Sequence, residues 1–424
     1  MKRALALVIG IGCAGPEVTP PATPATPSSQ ADAAALSSPL VSEIDDLPEA
    51  PDVADRPDVQ DPTDVPRVAD MPPAPEPISE LSSSELGEST RIEDGLAMSE
   101  VPGPEIWLKG STHVHARASG DSSEPNQSVI SWYEQHHYDF IVLTDHNRVS
   151  ELEPGASTLG QVTLRDPSHG LIVFSGIELT HNPVGCVPIG DRSRNCRIHV
   201  NLLGPTARPG GRIEWAERHS HLRLDMYGAA GVAQTRLGGL AQINHPQWLW
   251  GMTPDLLVEL SHRGMRLVEI ANAAFTRWNA GDAAHPSTEA LWDAALARGA
   301  IVWGTASDDA HDYTGHGKYP PGGGWVVVRA RREPRAILDA LAAGRFYSSN
   351  GVVLERAEVE GGELLVAVDP AQGGRYSIEF IENGRHVRTI AGKVGRRALP
   401  AFGYLRAVVT RDDGKRAWVQ PVRR

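Results

Sequence analysis

This chain has no excess of basic residues. Its 40 lysines and arginines face 53 aspartates and glutamates, for a formal net charge of −13, and nothing in that balance suggests a nucleic-acid partner. Long hydrophobic runs are also missing. The most apolar stretch, Ala4 to Gly12, follows the cationic head Met1-Lys-Arg and is too short to cross a bilayer, so it predicts an export signal and not a transmembrane helix. Cysteine is scarce, with three residues in 424. Histidine is scarce at one end, where the last 108 residues hold only His386, while the other 15 of 16 lie between His113 and His316. One region is therefore built for imidazole chemistry and the other is not.

The small residues before Cys13 resemble a bacterial lipobox, with Gly10 where leucine is usual. That implies cleavage and lipid attachment at Cys13. The expected location is the bacterial cell envelope, as an outer-membrane lipoprotein facing the periplasm or the surface, with plain secretion as the alternative. From residue 14 to about 100 the chain carries 15 of its 33 prolines and 19 acidic residues against Arg56, Arg67 and Arg91. Such a segment cannot bury enough apolar surface to fold and predicts a tether, with a typical span of roughly 50 Å. Its balance of −16 exceeds the −13 of the whole chain, so the acidity belongs to this segment. Cys186 and Cys196, ten residues apart in a stretch rich in Gly, Pro, Asp and Arg, predict a disulfide in an oxidising compartment, with zinc binding by the pair or two free thiols as alternatives.

From about residue 105, strand-like and helix-like runs alternate. Ile106 to His115, Phe140 to Thr144, Leu171 to Ser175, Arg197 to Leu203, Leu240 to Asn244, Arg266 to Ala271 and Ala300 to Thr305 read as strands. Asn126 to His137, Thr253 to Arg263 and Ser287 to Arg298 read as helices, the second opened by Thr253-Pro254 and the third closed by Gly299. This order predicts an α/β barrel-like domain. Beyond residue 350 strands alternate with turns such as Asn383-Gly384 and Asp413-Gly414, predicting a small all-β domain. The expected organisation is a signal and lipidation cysteine at 1–13, a tether at 14–104, the α/β domain at 105–350 and the β-rich domain at 351–424.

Polar residues gather just past the expected strand ends. His113 and His115 stand at i and i+2, on one side of a strand, so both imidazoles can grip one metal. The apolar run ending Leu143-Thr-Asp145-His146 reads as a buried strand that delivers ligands at its C-terminal end. Gly176-Ile-Glu178, His199, Asn244-His245-Pro and Asp309-Ala-His311 follow in order. Together with Ser119-Gly-Asp121-Ser, Gly323-Gly-Trp325-Val-Val-Val-Arg329 and Gly344-Arg-Phe-Tyr347, these motifs resemble the PHP (polymerase and histidinol phosphatase) metallohydrolases, and most closely their carbaryl-hydrolase-like (CehA/McbA) branch. The resemblance covers roughly residues 105 to 355.

The resemblance implies a distorted (β/α)7 barrel with two or three divalent metals. Carried over by motif, His113, His115, Glu178 and Asp309 would hold a first metal. Glu178 would bridge to a second, held also by His199 and His245, and Asp121, His146 and His311 would hold a third. Imidazoles with a few carboxylates suit zinc, manganese or iron. The expected chemistry is hydrolysis of a small-molecule substrate by a metal-bound hydroxide, with Asp309 and His311 as catalytic residues. A phosphoester is the first expectation for the bond and a carbamate, amide or ester the alternative. Asp145 either ligates, orients His146 or caps the next helix. Arg148, Arg277, Lys318 and Asp308 are candidates for substrate contact, and Asp308 equally for a supporting role behind the ligands. A reading of a different class is a surface-binding lipoprotein whose metal only stabilises a scaffold.

Overall fold

The computed structural model describes residues 103–149, 170–206 and 220–424, with the backbone of 163–164. All of them belong to one unit of the chain, Pro51–Arg424. The expected signal with Cys13, and the tether up to residue 102, lie outside the described residues.

The elements are β1 (Ile106–Val114), α1 (Asn126–Gln135), β2 (Phe140–Leu143), β3 (Thr163–Leu164), β4 (Ile172–His181), β5 (Ile198–Leu203), α2 (Arg223–Leu237), β6 (Leu240–Ile243), α3 (Pro254–His262), β7 (Leu267–Asn272), α4 (Thr276–Ala280), α5 (Thr288–Ala297) and β8 (Trp303–Ser307). They continue with β9 (Trp325–Ala330), α6 (Pro334–Ala342), β10 (Phe346–Ser349), β11 (Leu354–Glu360), β12 (Glu363–Val368), β13 (Tyr376–Glu382), β14 (Arg385–Ala391), β15 (Val394–Ala398), β16 (Leu405–Arg411) and β17 (Arg416–Val422). Local chemistry sets several boundaries. Thr253 accepts a hydrogen bond from the Leu256 amide, with Pro254 in the first turn of α3, and Ser287 caps α5 through the Ala290 amide. Asn383 and Gly384 both take positive φ between β13 and β14, as a tight hairpin turn requires.

The strands do not form a (β/α)7 barrel. One mixed sheet runs in the order β14-β13-β16-β17-β10-β9-β1-β2-β4-β5-β6-β7-β8, with β3 added beside β4, and a second sheet runs β11-β12-β15. The barrel expectation fails first at β5, which is antiparallel to both β4 and β6. A barrel of that kind needs a helical crossover between parallel strands. Here the β4–β5 connection, residues 182–197, has no helix and simply reverses the chain. Among the described strands the parallel pairs are β1-β2, β2-β4, β6-β7 and β7-β8. The apolar runs of β4 and β5 are buried on both faces, and such runs read as parallel strands whichever way they point. Of the strands beyond residue 350, β11, β12 and β15 form the second sheet, while β13, β14, β16 and β17 extend the large sheet through β10.

Two layers of side chains bury the middle of the sheet. Phe140 and Val142 of β2 pack with Phe174, Leu108 and, from α6, Ile337 and Leu341. Ile141 and Leu143 face the other way, onto Val129 and Tyr133 of α1. Each such side chain contributes roughly 1.5–3 kcal/mol by leaving water. An isolated parallel bridge joins Val114 to Ala310, and the His115 amide donates to the Ala310 carbonyl at 3.0 Å. This bridge brings the end of β1 beside the residues that follow β8. Among the described residues no helix is long and apolar enough to cross a membrane.

Candidate metal centre

Strand ends converge on one buried carboxylate. Glu178, 1% exposed on β4, meets imidazoles from four directions. Its Oε1 lies 3.2 Å from His113 Nε2, 3.0 Å from His199 Nδ1 and 3.7 Å from His245 Nε2. Its Oε2 lies 2.6 Å from His146 Nδ1 and 3.6 Å from His115 Nε2. Asp309 closes the other side, with Oδ1 3.2 Å from Nε2 of both His113 and His115. A third corner forms around Asp121, whose Oδ2 lies 3.0 Å from His146 Nε2 and 3.1 Å from His311 Nε2. Three sets have ligand atoms close enough to share an ion: His113, His115 and Glu178; His146, Glu178 and His199; His115, Asp121, His146 and His311. The structure thus brings together all nine side chains expected as ligands.

The electrostatics sort these groups. Burial alone would raise the Glu178 carboxyl, but His199, His146 and His113 hold it well below the usual carboxylate range. Asp309 and Asp121 are lowered in the same way by their imidazoles against the effect of burial. Burial lowers His115 and His199 to about 4, leaving them neutral at pH 7. For His113 and His146 burial acts in the same direction, yet the neighbouring carboxylates outweigh it and hold both well above an ordinary imidazole. Burial pushes Asp145 up to about 7. Its Oδ1 accepts the Ala116 amide at 2.7 Å, which ties it to the backbone beside the ligands.

The donor set fits divalent transition metals on one observation. Nε2 of His113 and of His115, Nδ1 of His245, Oδ1 of Asp121 and Oε2 of Glu178 are all buried and make no hydrogen bond. Among them His115 Nε2 and Glu178 Oε2 lie 3.6 Å apart without hydrogen-bond geometry, and His113 Nε2 lies 3.2 Å from both Glu178 Oε1 and Asp309 Oδ1. Buried polar atoms are usually satisfied, and unsatisfied atoms on side chains of ligand type are what a site that could hold a cation would leave. Mixed imidazole and carboxylate donors suit zinc, manganese or iron. Backbone strain gathers here too. His245, Asp309 and Asn147, which follows His146, have φ of 24°, 52° and 52°, conformations that non-glycine residues hold only where the surroundings impose them.

Of the four residues expected at substrate, three lie at the surface and one is buried. Arg148, Arg277 and Lys318 are exposed. Asp308 is wholly buried, where it accepts from Tyr133 Oη at 2.9 Å and from the amides of Gly323 and Gly324 at 2.8 and 2.9 Å. Residues without an assigned role in the sequence reading surround the ligands instead. Glu269 accepts from Ser307 Oγ at 2.5 Å, from the His245 amide at 2.6 Å and from Asn272 Nδ2 at 2.9 Å, and pairs with His113 Nδ1 at 2.8 Å. Asn244 Nδ2 donates to Glu178 Oε1 at 2.7 Å, Thr180 Oγ1 meets His146 Nδ1 at 2.6 Å, and Asn182 Oδ1 meets His199 Nε2 at 3.0 Å. The available signal for Glu269 was a charge inside an apolar strand, since such residues are almost never buried unless paired.

No family model matches this chain, and no curated protein matches it.

Proposed function

We propose that this chain is a metal-dependent hydrolase of small molecules, acting on a phosphoester or, as the second choice, a carbamate, amide or ester. The observation that carries this reading is the Glu178 carboxylate, 1% exposed and ringed by five imidazoles. The ordered motifs that resemble the PHP metallohydrolases support it. His113, His115 and Asp309 would hold one ion with Glu178, His199 and His245 a second across the same carboxylate, and Asp121, His146 and His311 a third. Two or three zinc, manganese or iron ions would supply Lewis acidity there, acidifying water and polarising a phosphoryl or carbonyl oxygen.

The chain's own groups do the remainder. Glu178 and Asp309, both held ionised by imidazoles, keep the cluster's charge complementary to cations. Asp309 accepts a proton from water on the His113–His115 side. His311 is anchored by its Nδ1 at 2.8 Å from the Asp309 carbonyl, which leaves its Nε2, 3.1 Å from Asp121 Oδ2, to hold the third ion. Glu269 fixes the ring of His113, and Asn244 fixes Glu178. The cysteine pair and the Cys13 motif support a place in the bacterial envelope, held to the membrane by lipid.

The test is a panel of phosphoesters and carbamates offered to the protein as purified, after chelation, and after metal is restored. Turnover that disappears with chelation and returns with zinc, manganese or iron supports the reading. Turnover indifferent to chelator removes it. Specific binding of a surface polymer without turnover of any substrate would favour a scaffold role instead.

A further inference from the structure

Cys186 and Cys196 are joined as a disulfide, each 1% exposed, with Cα atoms 6.3 Å apart. The bond closes the connection between β4, which carries Glu178, and β5, which carries His199. This loop does not end at its own hairpin. Arg223, 1% exposed at the start of α2, donates from Nε to the Pro188 carbonyl at 2.7 Å, and its amide donates to the Val187 carbonyl at 2.9 Å. Burying a guanidinium on so few partners is costly, and here it lies close against a second segment. A Cβ at Gly251 would stand 2.2 Å from the Arg223 Cζ. From the loop itself, a Cβ at Gly190 would stand 1.9 Å from the Leu249 carbonyl oxygen. At Gly190 the neighbour is backbone, so only glycine permits that approach.

Both contacts grip the turn Trp248–Trp250, which is strained. Leu249 and Trp250 have φ of 55° and 60°, and non-glycine residues persist there only when their surroundings over-determine them. The turn is bonded to the cluster, since the Trp248 amide donates to the His245 carbonyl at 2.9 Å. The Trp248 ring stands 5.1 Å from that of His245 and 5.4 Å from that of His199, edge to face. The contacts run unbroken from disulfide to Gly190 and Arg223, to the strained turn, and to two imidazoles.

We infer that the Cys186–Cys196 loop is a strut that positions the Trp248–Trp250 turn, and through it His245 and His199. Gly190 and Arg223 are positioning residues in this scheme. The consequence for metal rests on the proposed function, but the positioning itself does not. Two measurements on the full chain separate them. The variants are Gly190→Ala, Arg223→Met and the double change Cys186→Ala/Cys196→Ala, each accepted only with native circular dichroism. Amide hydrogen exchange of metal-free protein is expected to rise tenfold or more across 245–251 while β1 keeps wild-type protection. Zinc titration is expected to show affinity at the weaker site reduced about 10- to 100-fold, as for loss of other supporting groups, with the tighter site unchanged. Wild-type exchange across 245–251 in all three variants overturns the strut. Faster exchange with unaltered zinc affinities overturns its influence on the ligands. If the native protein takes up no zinc, the hydrolase reading fails and the exchange result still decides the strut.

Discussion

His113 Nδ1 lies 2.8 Å from Glu269 Oε1, and both side chains are wholly buried. The pair spans 156 residues of sequence and fixes which ring nitrogen of His113 faces Glu178 and Asp309. A carboxylate in that position orients the imidazole and makes it a stronger donor. Glu269→Gln keeps the shape and removes the charge. Zinc affinity is expected to fall about 10- to 100-fold, measured by competition with a chromophoric chelator. Wild-type affinity in the variant would show that Glu269 only fills space.

The adjacent pair Asp308 and Asp309 are expected to fail in different ways. Asp309→Asn removes charge beside His113 and His115, so metal at that side weakens and most turnover disappears. Asp308→Asn sets an amide against the donors of Gly323, Gly324 and Tyr133. Its loss should appear as stability, about 1–3 kcal/mol for a buried group left poorly paired, with zinc affinity retained. Urea denaturation and zinc titration of both variants check this. Zinc affinity lost in Asp308→Asn and kept in Asp309→Asn would reverse the assignment.

The metal-free protein should be most stable in mildly acidic solution. Glu178, Asp309 and Asp121 are lowered in the fold, so their contribution is present above the ordinary carboxylate values of 4.5 and 3.8 and is lost as pH falls through the folded values. His113, His146 and His311 are raised, so their contribution is complete below 6.5 and is lost as pH rises through the folded values. Asp145, raised to about 7, acts with the histidines, because ionising it between 3.8 and about 7 costs stability. His115 and His199, lowered to about 4, act the other way, because their unfolded imidazoles take up protons as pH falls below 6.5 and stability is lost there. Urea midpoints of chelated protein should therefore peak near pH 6.5 and fall on both sides. Zinc should raise the midpoint more at pH 8 than at pH 5, since it replaces protons on the raised imidazoles. A midpoint of chelated protein that rises steadily from pH 5 to pH 9 would contradict the assignment.

Much of the site is visible in the sequence, and much of the fold is not. His113-x-His115 shares one face because a strand alternates with period two, and Asp309-Ala-His311 lies in the loop after β8, so both pairs are readable from spacing alone. Glu269 carries no local signal for its partner, because its meaning comes from a residue on β1, five positions away in the sheet order. The direction of β5 is likewise invisible. Its run Ile-His-Val-Asn-Leu-Leu is buried throughout and would suit either orientation, and only the helix-free 182–197 connection decides it. The turn at Asn383-Gly384 is local and legible, whereas the joining of β17 to β10 depends on pairs such as Tyr347 with Val419, which no local pattern encodes.

The central claim is that the cluster around Glu178 holds at least two transition-metal ions, and the metal content of the purified chain tests it most directly. Protein prepared without chelator, or reconstituted and desalted, should carry two or more equivalents of zinc, manganese or iron by elemental analysis. Glu178→Gln, whose neutral amide is a poor bridge between two cations, should lose most of that metal. Less than one equivalent in the native protein, with no uptake on reconstitution, would contradict the account.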